Sequence, residues 1–502
     1  METKRILFGE WMPDLPDNEG KPTTNLDMAY NVYSSSTGYA PFPEQKRVSG
    51  DTPSGENINS LFVAQDKVEV VIFAGTNKYL YRQNDILLRT GASTQDISRL
   101  DGYTTSQQNW QFAQFGKAVL ATNGVQRIQK YILGSAPDED GYPRFKDIPT
   151  APRCKTMAVV RDFVVTGNSA SDGDEALGID AYNKVQWSDI NNEDVWIGSD
   201  SNQAGYQTLP SGGEVKAVLG GEFGLVLQDK AIQRMSYVGT PFVFQFDMIS
   251  DNTGCLSGTS AITHNGIGYW ISESGFVACD GSVVTPIGEG KINDWFFNQF
   301  DQTQAEDISV AIDPLKSLIV WNYPRPDSET PTRGMMFYNY DTQRWSTGVT
   351  EASVVAELAT QGRTLDSLDP DYPVLDEMPV SLDSRLFIGG KFAFCGAVDA
   401  HVVAFDLIPL DCYLTTNDLE FGMFSVATLA QPIVENGSAN FQITSRNKLS
   451  GLIDFGATSV TSAENRADLR SGGRYHRLRV NPTGAWTKAV GFDLNVTPQG
   501  QR

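Results

Sequence analysis

A phrase of short strands and tight turns recurs along this chain, and its period constrains the fold more than any single motif. "VEVVIFAGTNKYLYR" (68–82) reads as two strands around a Gly-Thr-Asn turn. "WQFAQFGKAVLATNGVQRIQKY" (110–131) reads as three strands broken at Gly-Lys and Asn-Gly, the second a strong hairpin signal. "KTMAVVRDFVVTGNS" with "NKVQWSDI", then "EVKAVLGGEFGLVLQDKAIQRMSY", "AITHNGIGYWISESGFVACDGS" and "DISVAIDPLKSLIVWNYP" with "RGMMFYNYDTQRWS" repeat the form. Marking the third strand at Tyr79, Val125, Val185, Ile232, Phe276 and Met336 gives intervals of 46, 60, 47, 44 and 60 residues. The two long intervals hold the inserts "SDGDEALGIDAYN" and "RPDSETPT". A three- or four-stranded unit every 40–50 residues is the signature of a β-propeller, roughly as in known blade repeats. One small sheet has two faces to cover, so neighbouring blades must stack around an axis.

The expected fold is therefore all-β: a propeller of six or seven blades with an extended N-terminal arm and a C-terminal β-sandwich-like domain. Residues 1–60 carry many turn formers and little alternation, and read as an arm laid over another surface. The propeller body spans 61–348. A Pro- and Asp-rich loop and a candidate closing blade, "RLFIGGKFAFCGAVDAHVVAFD" (385–406), occupy 349–409. From 410 to 502 alternation continues without the three-strand unit, as a β-domain of its own. The one short helix expected is "GKINDWFFNQF" (290–300). In "KVQWSDINNEDVWIG" (184–198), Trp187 ends a third strand, as Tyr131, Tyr237 and Trp345 do, and is expected to pack between blades.

Composition narrows the function classes. The formal charge is −22, with 61 acidic against 39 basic residues, which argues against an open duplex-binding surface. Five widely spaced cysteines without a CxxC read as reduced core residues. "METKRILFGEWMPDLPDNEG" has no signal-type apolar region and no run reaches membrane-spanning length, so the expectation is folding in a cytoplasm.

No Gly-rich phosphate loop, GxSxG or HExxH occurs. His264, His401 and His476 stand apart, which nominates no catalytic pair or metal set. Asp172, Asp174 and Glu175 have a spacing open to Ca²⁺ but not that of the twelve-residue calcium loop, and a solvated loop is expected. "NPTGAWT" (481–487) has the end of a sialidase box without its Asp. Catalytic, cofactor-binding and metal residues are thus expected to be none. Basic residues gather only in "LRSGGRYHRLRV", where Arg470, Arg474, Arg477 and Arg479 are candidates for contact with an acidic neighbour or pairing with local acids.

Several longer phrases, taken in order, resemble the tail nozzle, or packaged-DNA stabilisation, proteins of short-tailed phages: "PDLP…NVYSSSTGYAPFPE", "VQWSDINNEDVW…QAGYQTLPSGGEVKAVLGG", "IQRMSYVGTPFVFQFDMISDNTGC", "GYWISESGFVACDGSVVTPIGEGKINDWFF", "FYNYDTQRWS" and "GGRYHRLRVNPTGAWTKAVGFDLNV". The resemblance implies a non-enzymatic virion protein, made in the host bacterial cytoplasm. It implies six copies in a ring below the portal and tail adaptor, among other tail proteins, through which DNA passes without specific binding. The arm and C-terminal domain would then touch neighbouring copies. The alternative is a propeller-type tail adhesin or glycan-cleaving enzyme; a host scaffold propeller lacks support because the Gly-His…Trp-Asp signature is missing.

Overall fold

The computed structural model describes residues 2–15, 25–66, 70–83, 94–106, 108–136, 143–326, 333–359, 374 and 392–499. Among them, six free-standing four-stranded antiparallel sheets form blades of a β-propeller. A seventh four-stranded unit completes the ring and runs on into a 13-stranded sheet with the C-terminal region. In chain order the innermost strands are Ser60–Gln65, Gln111–Phe115, Arg153–Val160, Val215–Leu219, Ile262–His264, Ser309–Asp313 and Val354–Ala359. We number the blades 1 to 7 by these strands; blade 6 is the one that merges with the larger sheet.

Burial explains the composition of each blade. Middle strands such as Ala118–Thr122, Gly224–Gln228 and Leu318–Tyr323 are buried along their whole length. A strand sandwiched on both faces is apolar throughout, so these segments read as runs of Val, Leu and Ile without alternation. Turns are set locally. Asn265 and Gly266 both take positive φ, 51° and 79°, which is the mirror-image two-residue turn joining Ile262–His264 to Ile267–Ser272.

Each blade–blade seam has its own apolar cluster. Phe73, Trp110 and Tyr131 join blades 1 and 2, and Leu120, Met157 and Trp196 join 2 and 3. Trp187, Val218 and Phe244 join 3 and 4, and Leu227, Trp270 and Cys279 join 4 and 5. Phe276, Trp321 and Trp345 lock blades 5 and 6, with ring centroids 4.8–5.9 Å apart. Val320, Phe337 and Phe394 join 6 and 7, and Tyr81, Leu358 and Val402 close 7 onto 1.

The third-strand markers Val185, Ile232, Phe276 and Met336 lie inside third strands, whereas Tyr79 precedes Leu80–Gln83 and Val125 sits in the exposed turn before Gln129–Ile132. Trp345 belongs to a fourth strand, Arg344–Thr350, because the third strand of blade 6 ends at Asn339. The helix is found at Asn293–Gln299. Blade 7 takes its inner strand from Val354–Ala359 and its next two from Phe392–Val398 and His401–Pro409. The Pro/Asp-rich 360–373 and the strand expected at 385–388 lie outside the described residues.

The N-terminal segment does run over the rest of the molecule, as strands. Pro43–Arg47 is the outermost strand of blade 7, pairing with Val403–Phe405. Leu26–Tyr30 bridges Arg344–Thr350 of blade 6 to Tyr413–Thr416 of the C-terminal region. Glu2–Leu7 pairs with Lys488–Pro498. Its surface is this chain's own, and Trp11, Leu26, Val32, Tyr39 and Phe42 are fully buried. Phe42 lies between rings of blades 6 and 7, with centroids 4.6 Å from Phe337, 5.4 Å from Phe405 and 6.0 Å from Phe394. Phe42→Ala should lower unfolding free energy by about 3–5 kcal/mol, the usual cost of emptying a buried aromatic site. Denaturant melts would show it; a loss below about 1 kcal/mol would mean that the N-terminal strand does not hold the ring.

Candidate functional site

The seven inner strands surround one open axial pocket of about 510 Å³. Its lining is apolar, hydroxyl and amide, including Phe62, Gln111, Thr156, Thr263 and Ser309. No carboxylate, ammonium, guanidinium or imidazole is among the lining residues. Several polar groups there already serve the seams. Gln114 of blade 2 donates to Gln65 O of blade 1 at 2.7 Å and accepts from Gln65 N at 3.1 Å. Thr156 Oγ1 of blade 3 accepts from Val218 N of blade 4 at 3.2 Å. Ser309 Oγ of blade 6 accepts from Val355 N of blade 7 at 3.1 Å. At these three seams inner-strand side chains partner backbone donors of the neighbouring blade.

The acidic segments are bound by cations of the same chain. Asp194 accepts from Lys130 Nζ at 2.6 Å and Glu193 lies 3.6 Å from it, so the loop after Trp187 clasps blade 3 to blade 2. The tryptophans of that stretch point into different seams, Trp187 toward blade 4 and Trp196 toward blade 2. Asp172 pairs with Arg127 and lies 3.7 Å from Arg153. Asp174 accepts twice from Lys184, at 2.9 and 3.0 Å, and the lysine side chain is 1% exposed. A solvated loop is the expectation for 172–175; Asp174 is instead half of a buried ion pair, because the Lys184 side chain is buried within blade 3, beside Ser171 and Tyr206, and cannot be so alone. No group of three or more His, Cys, Asp or Glu suited to a metal occurs among the described residues.

All five cysteines are free and buried, and burial pushes the Cys154 thiol up to about 12, which disfavours a thiolate nucleophile. His264 packs against Tyr340 with tilted rings, centroids 4.6 Å apart, and His401 lies 3.5 Å from Asp51. His476 holds an arrangement that sequence reasoning missed. Its Nε2 is 2.9 Å from Ser425 Oγ and its Nδ1 2.7 Å from Ser445 Oγ. A hydroxyl beside an imidazole is the pairing used to activate a nucleophile. Here Ser425 and His476 are both fully buried, whereas Ser445 is half-buried. Nothing in the strand sequence marks Ser425 as the partner, since 51 residues separate the pair.

The four candidate arginines share the strand Ala467–Thr483 and have different surroundings. Arg470 is exposed. Arg474 Nε donates to Glu420 at 2.7 Å on the surface. Arg477 is buried against Asp418 at 3.3 Å and Asp27 at 3.1 Å, and Arg446 meets the same Asp418. Arg479 stacks between Tyr413 and Phe455, 4.5 and 4.4 Å from the ring centroids.

Two consequences are measurable. Lys184→Met should destabilise the chain by about 3–5 kcal/mol by stranding Asp174, whereas adding Asp174→Leu should restore most of that loss. If the double variant is as unstable as the single one, the pair is not the cause. Burial pushes the His476 imidazole down from its ordinary 6.5 to about 4. Between those values the unfolded chain takes up a proton that the folded chain refuses, so this contribution is complete above pH 6.5 and is lost as pH falls toward 4. His476→Gln should therefore flatten the acid limb of stability between pH 6.5 and 4 relative to the parent, and an unchanged slope in denaturant melts would refute the assignment.

No protein-family model and no curated protein matches the chain. Among solved structures it is similar to the WD40 domain of Neurospora crassa Pan2, at 9% identity over 72% of this chain and 94% of that one, with a TM-score of 0.37. It is similar to the WD40 domain of Toxoplasma gondii coronin, at 9% identity over 77% and 88%, with a TM-score of 0.43. A glycoside hydrolase aligns at 8% identity over 89% and 99%, with a TM-score of 0.26. At such scores these likenesses carry no functional argument, and the propeller stands on the chain's own sheet order and seams.

Proposed function

We propose that this chain is a structural virion protein, a segment of the tail channel of a short-tailed phage that retains packaged DNA and conducts it at ejection. The observation that carries the reading is the ordered run of phrases resembling tail nozzle proteins, spread from "PDLP" to "GFDLNV". Physical features support it. An axial pocket of about 510 Å³ is the size of a small-ligand site, so DNA would pass through a lumen between copies and not through one propeller. Six copies carry a formal charge of 6 × −22 = −132, and a lumen of that sign lets a polyanion slide. Screening confines the effect to about 10 Å of the wall. The ring would sit in the virion tail beneath the adaptor, after synthesis in the host bacterial cytoplasm.

The glycan-enzyme alternative requires two carboxylates facing each other across a cleft. The axial pocket, where a propeller enzyme would place them, has none in its lining. An adhesin remains the competing outcome of the decisive experiment, which is to tag the C-terminus and locate and count the tag on purified particles by electron microscopy. Six tags around the tail axis are expected. Tags at the tail periphery would favour the adhesin, and particles without tags would end the virion reading.

A further inference from the structure

We propose that Asn265 is a self-modification site, at which the Gly266 amide nitrogen attacks the asparagine side chain, ammonia leaves, and water completes the exchange of an amide for an acid. His264 is the group that hands the departing nitrogen its proton. The inference rests on the chemistry of one turn and is independent of the ring reading.

The sequence holds three Asn-Gly pairs, Asn123-Gly124, Asn265-Gly266 and Asn436-Gly437. Glycine after asparagine lets a backbone nitrogen reach the side-chain carbonyl with least hindrance, because no Cβ stands in the way. The fold separates the three. Asn123 is 1% exposed, and its Oδ1 accepts from Val125 N at 3.2 Å and Gln126 N at 3.0 Å. Gly124 N donates to Thr122 Oγ1 at 3.4 Å, so both reacting groups are engaged elsewhere. Asn436 is exposed, but its Nδ2 donates to Thr487 Oγ1 at 3.2 Å. Its glycine is crowded: a Cβ on Gly437 would meet Trp486 at 2.6 Å and Thr483 O at 2.7 Å.

At Asn265 the reactants are not held apart in this way. Asn265 and Gly266 are both exposed, at the tip of the hairpin between Ile262–His264 and Ile267–Ser272. Gly266 N donates to no group among the described residues, and a Cβ on Gly266 would meet nothing within 4 Å. The side-chain amide faces an imidazole, with Nδ2 of Asn265 3.0 Å from Nε2 of His264. Tyr340 packs against that imidazole and keeps it beside the amide, with ring centroids 4.6 Å apart. In its protonated form the imidazole carries on Nε2 the proton that the departing nitrogen needs, and histidine is the side chain most often used for such transfers.

Gly266 N gives its proton to solvent and bonds to Asn265 Cγ, closing a cyclic imide. The Cγ–Nδ2 bond breaks, and the nitrogen leaves as ammonia with a proton from His264, which solvent restores. Water then opens the imide at either carbonyl and leaves an aspartate or its β-linked isomer at this position. Nothing is oxidised or reduced, and the co-reactant is water. The product carries one more negative charge, at a turn two residues past Thr263, which lines the axial pocket. The β-linked isomer also lengthens the backbone of a turn whose two positive φ values, 51° and 79°, match the hairpin twist. The blade 5 hairpin would therefore loosen as the chain ages.

The test is peptide mapping of the purified full-length chain after incubation for days at neutral pH in heavy-oxygen water. Asn265 should convert before Asn436 and about tenfold or more faster than the buried Asn123, which reacts only through local opening. The product should carry solvent oxygen, and Asn265→Gln should abolish labelling there. In denaturant the three pairs should convert at similar rates. His264→Phe keeps a ring against Tyr340 but has no proton to give, and should slow conversion at Asn265 about tenfold in the folded chain. His264→Gln provides the same comparison if the phenylalanine variant fails to fold. Conversion at Asn436 or Asn123 with Asn265 intact would overturn the inference. So would a folded His264 variant that converts at the parent rate. An order among the three pairs that persists unchanged in denaturant would overturn it as well, because the sequence and not the fold would then select the site.

Discussion

The seam between the last blade and the first is what the rest of this structure depends on. A blade buries one face against the blade before it and one against the blade after it, so an unclosed series leaves two apolar faces in water. Closure here uses Pro43–Arg47 as the outer strand of blade 7, with Val48 and Ile58 leading from that blade into blade 1. The strand is joined to residues some 360 positions later in the chain. Chain entropy tolerates such a span, because each doubling of a loop adds only about 0.6 kcal/mol. The pairing and Phe42 then convert a row of hairpins into a ring. Because the same N-terminal segment also pairs with the C-terminal strands, the two parts of the molecule are closed by one piece of chain.

Ring closure also decides what the polar residues can do. Near the axis the inner strands carry hydroxyl and amide side chains among the apolar ones. Gln114, Thr156 and Ser309 are placed there and are engaged across the seams. The acids that draw attention in the sequence are engaged too, Asp194 on Lys130 and Asp172 on Arg127 between blades 2 and 3, and Asp174 on Lys184 within blade 3.

The blades were legible in the sequence because their cause is local: period, turn chemistry and continuous apolar strands. Asn265-Gly266 marks its own hairpin, and Trp187 falls in a seam with Val218 and Phe244. What depends on distant pairing was not legible. Residues 43–47 read PEQKR, with no alternation to announce a strand, because the outermost position of a blade has only one neighbour and is largely exposed. Arg477 and Arg479 looked alike on one strand face, yet one is buried on two carboxylates and the other stacks between rings. Only the fold brings Asp27 and Asp418 to the first and Phe455 to the second. The Ser425–His476 contact is hidden for the same reason.

The continuity of blade 6 with the C-terminal sheet bears on how a ring of such chains would work. Leu26–Tyr30 lies between the two as a shared strand, and the core around Trp321 and Trp345 extends to Leu414, Leu478 and Phe492 without a break. A flexible linker between the two parts would let the C-terminal region swing while the propeller stayed fixed. A shared sheet does not: tilting one part must shear backbone hydrogen bonds or drag the other along. If the chain is a channel segment as proposed, load on its C-terminal region would pass into the propeller through the sheet itself. Opening would then proceed by rigid rotation of whole copies at their mutual contacts and not by a hinge inside each chain, since packed cores shift between discrete arrangements more readily than they bend.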